Sequence, residues 1–275
     1  MPYILHPLEV MAAVASLPEK IAALAHDYGE FRNVEDLADF GVPAVLLDKI
    51  RLLAKGFPDD VPEGDPRYCE YIWNLLGDPV CREIKYYDLL TNNGFEESPA
   101  ADGRRKTGHY PRVLNLLKDA AEDGQLFFYS RSLYTNIFSN FFMEPLEING
   151  TIWKSGEHCY QAMKFAEGSP HADPAVFEAI RNAPTPGVAK QLADTPIQTA
   201  SPLTPEYRLS VMENLLRVKF GPGTWMLRRL LQTGDLVLVH ESKKDLFWGR
   251  NRSGEGQNLL GKLLMRIRED SRGTR

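Results

Sequence analysis

The chain has 275 residues, 43% hydrophobic, 10% aromatic and 25% charged, with a net charge of −5. These are ordinary values for a globular protein with enough material to bury a core in one large domain or two smaller ones. Mean hydropathy is −0.32, and with no run of about 18 apolar residues a membrane span is excluded.

The opening stretch MPYILHPLEVMAAVASLPEK has no basic segment ahead of its apolar residues and does not read as a signal peptide. Cys69, Cys81 and Cys159 form no CxxC pair. That usage fits a reducing cytoplasm and argues against a disulfide framework or a cysteine-based zinc site. Charge divides the chain: residues 1–125 carry −9 and residues 126–275 carry +4. Two units with different partners are expected, the second suited to an anionic or phosphorylated substrate.

The first 120 residues read as short helices, at Pro18–Tyr28, Val42–Lys55, Tyr68–Leu76, Val80–Leu90 and Pro111–Glu122. In the first two, apolar residues recur every three to four positions, and Gly56-Phe57-Pro58 stops the second. Thr91 to Gly108, polar and holding Arg104-Arg105-Lys106, reads as a long loop. A boundary near Gly124 separates a helical N-terminal unit, 1–124, from a second domain, 125–275.

From Leu126 the pattern changes. Leu126–Ser130 and Leu236–Val239 are short apolar strands, and Pro145–Trp153 alternates around Asn149-Gly150, the signature of a tight hairpin. Helices are expected near 156–167, 173–182, 186–192, 205–219, 222–232 and 258–270. The fold class is therefore α+β, mostly helical, with a small β-sheet.

Three clusters carry chemistry. Ser155 caps a helix on which Glu157, Gln161 and Lys164 share one face, while Cys159, Ala162, Met163 and Ala166 take the opposite, core side. A Glu–Gln–Lys stripe of this kind is most often solvated surface. Asp245-Leu246-Phe247-Trp248-Gly249 sets a carboxylate beside aromatic rings. Gly254–Gly261 is a glycine-rich turn into a helix with Asn258 near its cap, but it is not GxGxxG. The six histidines have no HExxH or paired-ligand spacing, and Walker A, GxSxG and kinase signatures are absent. His158 is expected to bond locally near its helix start.

Taken in order, FYS (128–130), FSNF (138–141), ING with Trp153, GEHCYQAMKF (156–165), TGDLVLV (233–239), DLFWG (245–249) and GQNLLGKLLMRIRE (256–269) resemble the NADAR, or YbiA-like, family. The resemblance runs from Phe127 to near Asp270 and leaves the N-terminal unit uncovered. It implies a YbiA-like domain that cleaves a ribose C1′–N bond without metal or cofactor. Removal of ADP-ribose from modified guanine in nucleic acid or nucleotides is the leading reading, with a cognate ADP-ribosylating toxin as partner. The alternatives are an N-glycosidase on phosphoribosylamino-pyrimidine intermediates of riboflavin synthesis and a non-catalytic ADP-ribose or NAD module.

Cleaving C1′–N builds positive charge on the ribose, which an oriented carboxylate stabilises, while a second group moves the proton. On the family's motifs Glu157, Lys164 and Asp245 become the catalytic candidates. Lys164 either pairs with phosphate or acts as an amine nucleophile through a Schiff base, which requires a pKa depressed by burial. Ser130, Asn140, Trp153, Gln161, Trp248, Gly249 and Asn258 become candidates for substrate binding, Trp248 as a stacking wall. The sequence departs from the family pattern at His240, where Glu is usual, at Thr204, where Trp is usual, and at Asn136, which replaces Gly and is able to adopt positive φ.

Overall fold

A computed structural model describes residues 5–57, 61–94, 110–197 and 203–273. The expected loop run Arg104-Arg105-Lys106 lies outside them. Among the described residues the chain is mostly helical, with two small two-stranded sheets. No helix there is long and apolar enough to cross a membrane. It divides into two compact units, residues 1–126 with 232–237, and residues 127–231 with 238–275.

The first unit contains α1 (Leu5–Ala13), α2 (Leu17–Leu24), α3 (Tyr28–Phe31), a 3₁₀ turn (Val34–Phe40), α4 (Ala44–Leu53), α5 (Pro66–Leu76), α6 (Pro79–Gly94) and α7 (Pro111–Glu122). Local chemistry sets the starts. Ser16 and Glu19 form a reciprocal capping box on α2, and Asp65 caps α5 with Pro66 in its first turn. The helices close on Tyr68, Ile72, Leu75, Leu76, Ile84 and Leu117, all buried. Two features depart from expectation. Helix α1 lacks a strongly one-sided apolar pattern and was not anticipated, and α6 continues through Thr91–Gly94, where a loop was expected.

Strand β1 (Gln125–Phe128) pairs with β4 (Val237–His240). The amide of Val237 donates to Gly124 O and that of Glu241 to Phe128 O, so both strands advance in the same direction. The hairpin β2 (Leu146–Ile148) and β3 (Thr151–Trp153) is antiparallel, with Leu146 opposite Trp153. Asn149 and Gly150 both take positive φ, 52° and 74°, the backbone that a two-residue primed turn demands. By contrast Asn136 opens a 3₁₀ turn (Asn136–Phe138) without positive φ; Asn149 and Asn258 are the described non-glycine residues that adopt it.

Helices α8 (Gly156–Met163), α9 (Pro174–Asn182), α10 (Pro186–Ile197), α11 (Pro205–Lys219), α12 (Trp225–Gln232) and α13 (Leu259–Arg272) complete the chain. Helix α8 is the hub, packed by α9, α10 and α11. Thr204 accepts from Tyr207 N as the cap of α11, a local reason for a small hydroxyl at that position.

Candidate functional site

Helix α8 begins where Ser155 Oγ accepts from His158 N. His158 bonds locally to Ser155 through Nδ1 at 2.7 Å, as expected, and its Nε2 also reaches Ala183 O at 3.1 Å. The main chain pins the helix start as well, Glu157 N donating to Asn140 O at 2.9 Å. Surrounded by α9, α10 and α11, the helix is buried on all sides from Gly156 to Ala162. The polar stripe is therefore not solvated surface. Glu157 is 6% exposed and Gln161 3%.

The stripe is wired end to end. Gln161 Nε2 donates to Glu157 Oε1 at 2.6 Å, and Lys164 Nζ donates to Gln161 Oε1 at 2.6 Å. Lys164 is the C-cap residue, still in helical conformation, so the one-turn spacing holds to the end. Burial raises the Glu157 carboxyl above its ordinary range, against the pull of the Gln161 hydrogen bond and of Lys190 and Lys164. Burial lowers the Lys164 amine to about 8, although Glu157 and Asp194 pull it upward.

Several further residues flank the α8 stripe. Lys190 and Asp194 lie four apart on α10, and both act on Glu157 and on Lys164. From α11, Arg208 lays its guanidinium 3.7 Å from the centre of the Phe247 ring. Lys164 Nζ lies 4.9 Å from the centre of the Tyr160 ring. Tyr160 accepts a hydrogen bond from Trp248 Nε1 at 3.2 Å. The i, i+4 spacing of Lys190 and Asp194 was visible, but which helix packs beside α8 is a tertiary fact.

Other candidates take structural positions. Among the described residues Asp245 makes no hydrogen bond or ion pair to Glu157 or Lys164; its Oδ1 accepts from Trp248 N at 3.1 Å and folds its own loop. Trp248 is buried, edge-on to Tyr160 and Phe247, so its ring offers no open stacking wall. At Gly249 a Cβ would lie 2.7 Å from His240 O and 3.0 Å from Asp245 O, a backbone crossing that only glycine permits. Asn258, at φ 52°, accepts from His240 N at 3.0 Å and donates to Leu238 O at 2.8 Å, clamping α13 onto β4. Trp153 is buried against Phe177. Ser130 is exposed. Asn140 is buried, donates to Met212 Sδ at 3.2 Å and leaves its Oδ1 unpartnered beside the start of α8.

At the departures from the family pattern, His240 stacks on Phe128 with ring centres 5.3 Å apart, and Glu241 pairs with Arg252 at 3.0 Å. Burial lowers the His240 imidazole below its ordinary range. Lys219, also unforeseen, is 3% exposed and donates to Ser139 O at 2.7 Å, its amine lowered by burial to about 7. Elsewhere in the unit a cleft of about 480 Å³ is lined by Glu144, Lys219, Thr224 and Trp225, and not by the α8 stripe.

Over 159 residues the chain is 32% identical to N-glycosidase YbiA of Escherichia coli (strain K12), covering 58% of this chain and 96% of that protein. It is 35% identical over 147 residues to an N-glycosidase of Nostoc punctiforme, covering 54% and 92%. A riboflavin biosynthesis protein of Vibrio vulnificus is 34% identical over 145 residues, covering 53% of this chain but only 38% of that longer protein. The solved structure of Escherichia coli YbiA matches at 35% identity and TM-score 0.44, covering 53% of this chain and 83% of that one. The NADAR domain matches residues 127–272, the stretch that builds the buried Glu157–Gln161–Lys164 line, and the chain belongs to that family.

Proposed function

We propose that the second unit is an N-glycosidase that hydrolyses a ribose C1′–N bond, and that ADP-ribosylated guanine, in nucleic acid or free nucleotides, is its substrate. One observation carries this reading: a carboxyl raised by burial and an amine lowered to about 8 are joined through one buried amide. A carboxyl that holds its proton more readily than usual beside an amine that releases its proton more readily than usual suits general acid–base catalysis.

In the amine route the ribose ring opens first: the C1′–O4′ electron pair goes to O4′, which takes a proton from Glu157, and a C1′=N iminium remains. Neutral Lys164 adds to C1′ and passes one proton to Glu157. The C1′–N bond then breaks with its electron pair going to the leaving nitrogen, which takes that proton. A lysine iminium remains that water hydrolyses to free amine and sugar aldehyde, returning a proton to Glu157. In the direct route, water attacks C1′ while the Glu157 line stabilises positive charge on the ribose. Lys190 and Arg208, on neighbouring helices, supply further positive charge beside the stripe, which suits a diphosphate. Asp245 serves as the loop support that sets Phe247 and Trp248 in place. A cognate ADP-ribosylating toxin is the partner this substrate implies.

The similarity to a riboflavin biosynthesis protein of Vibrio vulnificus favours a second reading, an N-glycosidase acting on phosphoribosylamino-pyrimidines of riboflavin synthesis. Incubation with guanine-ADP-ribosylated DNA and, separately, with phosphoribosylamino-pyrimidines, followed by mass spectrometry, decides between them. Release of ADP-ribose with repaired DNA is the expected result; release of ribose phosphate from the pyrimidine alone supports the second reading. Ligand retained uncleaved in both reactions identifies a binding module instead.

A further inference from the structure

The first unit brings together residues whose spacing matches no metal-binding motif. His6 comes from α1, His26 and Asp27 from the junction of α2 and α3, and Asp88 from α6. The nearest ligand-type atoms of His6, His26 and Asp88 all lie within 4.8 Å of one another. His6 Nε2 is 3.1 Å from Asp88 Oδ1, and His26 Nε2 is 3.6 Å from the same oxygen. Zinc bonds of about 2.0–2.1 Å in a tetrahedron separate neighbouring ligands by roughly 3.3–3.4 Å. The two separations from Asp88 Oδ1 lie on either side of that value; the 3.1 Å one is also within hydrogen-bond distance, and the remaining pair lies within 4.8 Å.

The orientation of the rings is the second observation. His26 is buried, and its Nδ1 lies 2.7 Å from Ala23 O. A carbonyl only accepts, so Nδ1 carries the hydrogen and donates. Nε2 is then left facing the carboxylates, 3.1 Å from Asp27 Oδ1 and 3.6 Å from Asp88 Oδ1. His6 repeats the pattern. The Thr91 hydroxyl has Tyr87 O at 2.8 Å and Asp88 O at 3.0 Å as acceptors, so at 3.4 Å it accepts from His6 Nδ1. That turns His6 Nε2 toward Asp88 as well.

Outer hydrogen bonds from Nδ1 that aim Nε2 at a shared point are the usual support of a metal-bound histidine. Asp88 is aimed too, by Lys85 Nζ on Oδ2 at 2.5 Å and Asn92 Nδ2 on Oδ1 at 2.7 Å. The Asp27 carboxylate adds negative charge next to His26, and Lys85 opposes it with one positive charge.

We propose that His6, His26 and Asp88 form a binding site for a divalent transition metal of the zinc class, which clips α1, the α2–α3 junction and α6 together. Two imidazoles and a carboxylate suit such an ion better than magnesium or calcium, which favour all-oxygen sites. The role is structural, because the three ligands come from separate helical segments and hold them against one another.

The test uses the untagged full-length protein, stripped with chelator and titrated with Zn²⁺ and separately with Co²⁺. One equivalent is expected to bind, to raise the unfolding temperature by several degrees, and with Co²⁺ to give the visible bands of a low-coordinate nitrogen–oxygen site. His6→Gln, on the more exposed ligand, is expected to weaken binding more than about 10-fold, since even an outer partner matters on that scale. His171→Ala, in the other unit, is expected to leave binding unchanged. Absence of saturable binding to the unaltered protein overturns the proposal whatever the variants do. So does one-equivalent binding that a folded His6→Gln protein, checked by circular dichroism, retains in full.

Discussion

The amine of Lys164 donates to the carboxamide oxygen of Gln161 at 2.6 Å, and that bond fixes which way the amide points. With the oxygen turned to Lys164, the amide nitrogen faces Glu157, so the middle residue communicates the protonation of one end to the other. The site therefore behaves as a coupled pair, and its chemistry is expected to respond to a change at either end.

Glu157→Gln keeps the shape of the side chain but removes its acid–base capacity. Turnover of the cleaved N-riboside is expected to fall at least about 100-fold, the scale of losing a positioned proton donor. Single-turnover kinetics measure it, and a variant as fast as the parent removes Glu157 from the mechanism.

Lys164 has an amine lowered to about 8. If the neutral amine attacks C1′, the rate rises with pH toward about 8 as deprotonation supplies the nucleophile, and falls again as Glu157 loses the proton it supplies. Borohydride is then expected to trap a sugar on the protein, and Lys164→Ala to abolish trapping. A rate independent of pH between 6 and 9, with no trapped adduct, assigns the step to water.

Lys219 gives a stability prediction with a definite sign. Its amine is lowered to about 7 in the folded chain against about 10.4 when unfolded. Between those values the unfolded state holds a proton that the folded state lacks, so this group makes stability rise with pH across the window. The contribution is on the order of 1 kcal/mol per pH unit as an upper bound. Denaturant titrations at pH 6, 8 and 10 are expected to show that rise, and Lys219→Met to flatten it.

Gly249→Ala tests the backbone crossing under the aromatic loop. The added Cβ meets His240 O at 2.7 Å and Asp245 O at 3.0 Å, neither of which moves without shifting the main chain. A loss of about 1–3 kcal/mol is expected, the range for forcing extra volume into a packed site. Urea unfolding reads it directly; an unchanged midpoint means that the loop relaxes freely.

Local chemistry makes much of the fold legible in the sequence. The Asn149-Gly150 turn, the prolines opening α7, α9 and α11 and the apolar spacing of α5 located elements to within a few residues, because turns, caps and periodicity are set by neighbours in sequence. Helix α1 was not legible, since its packing against α2 and α6 rather than its own pattern sustains it.

The site divides along the same line. Glu157, Gln161 and Lys164 share a face by helical geometry, and that much followed from the amino-acid order alone. Whether the face met water or protein did not. Only the closure of α9, α10 and α11 around α8 desolvated it, brought Lys190, Asp194 and Arg208 alongside, and gave a carboxyl and an amine the shifted proton affinities that ordinary surface residues lack. Asp245 bonds within its own loop, Asn258 bonds to β4, and Trp248 is buried against Tyr160. Burial and long-range charge depend on segments far apart in the chain, and tertiary packing alone brings them together.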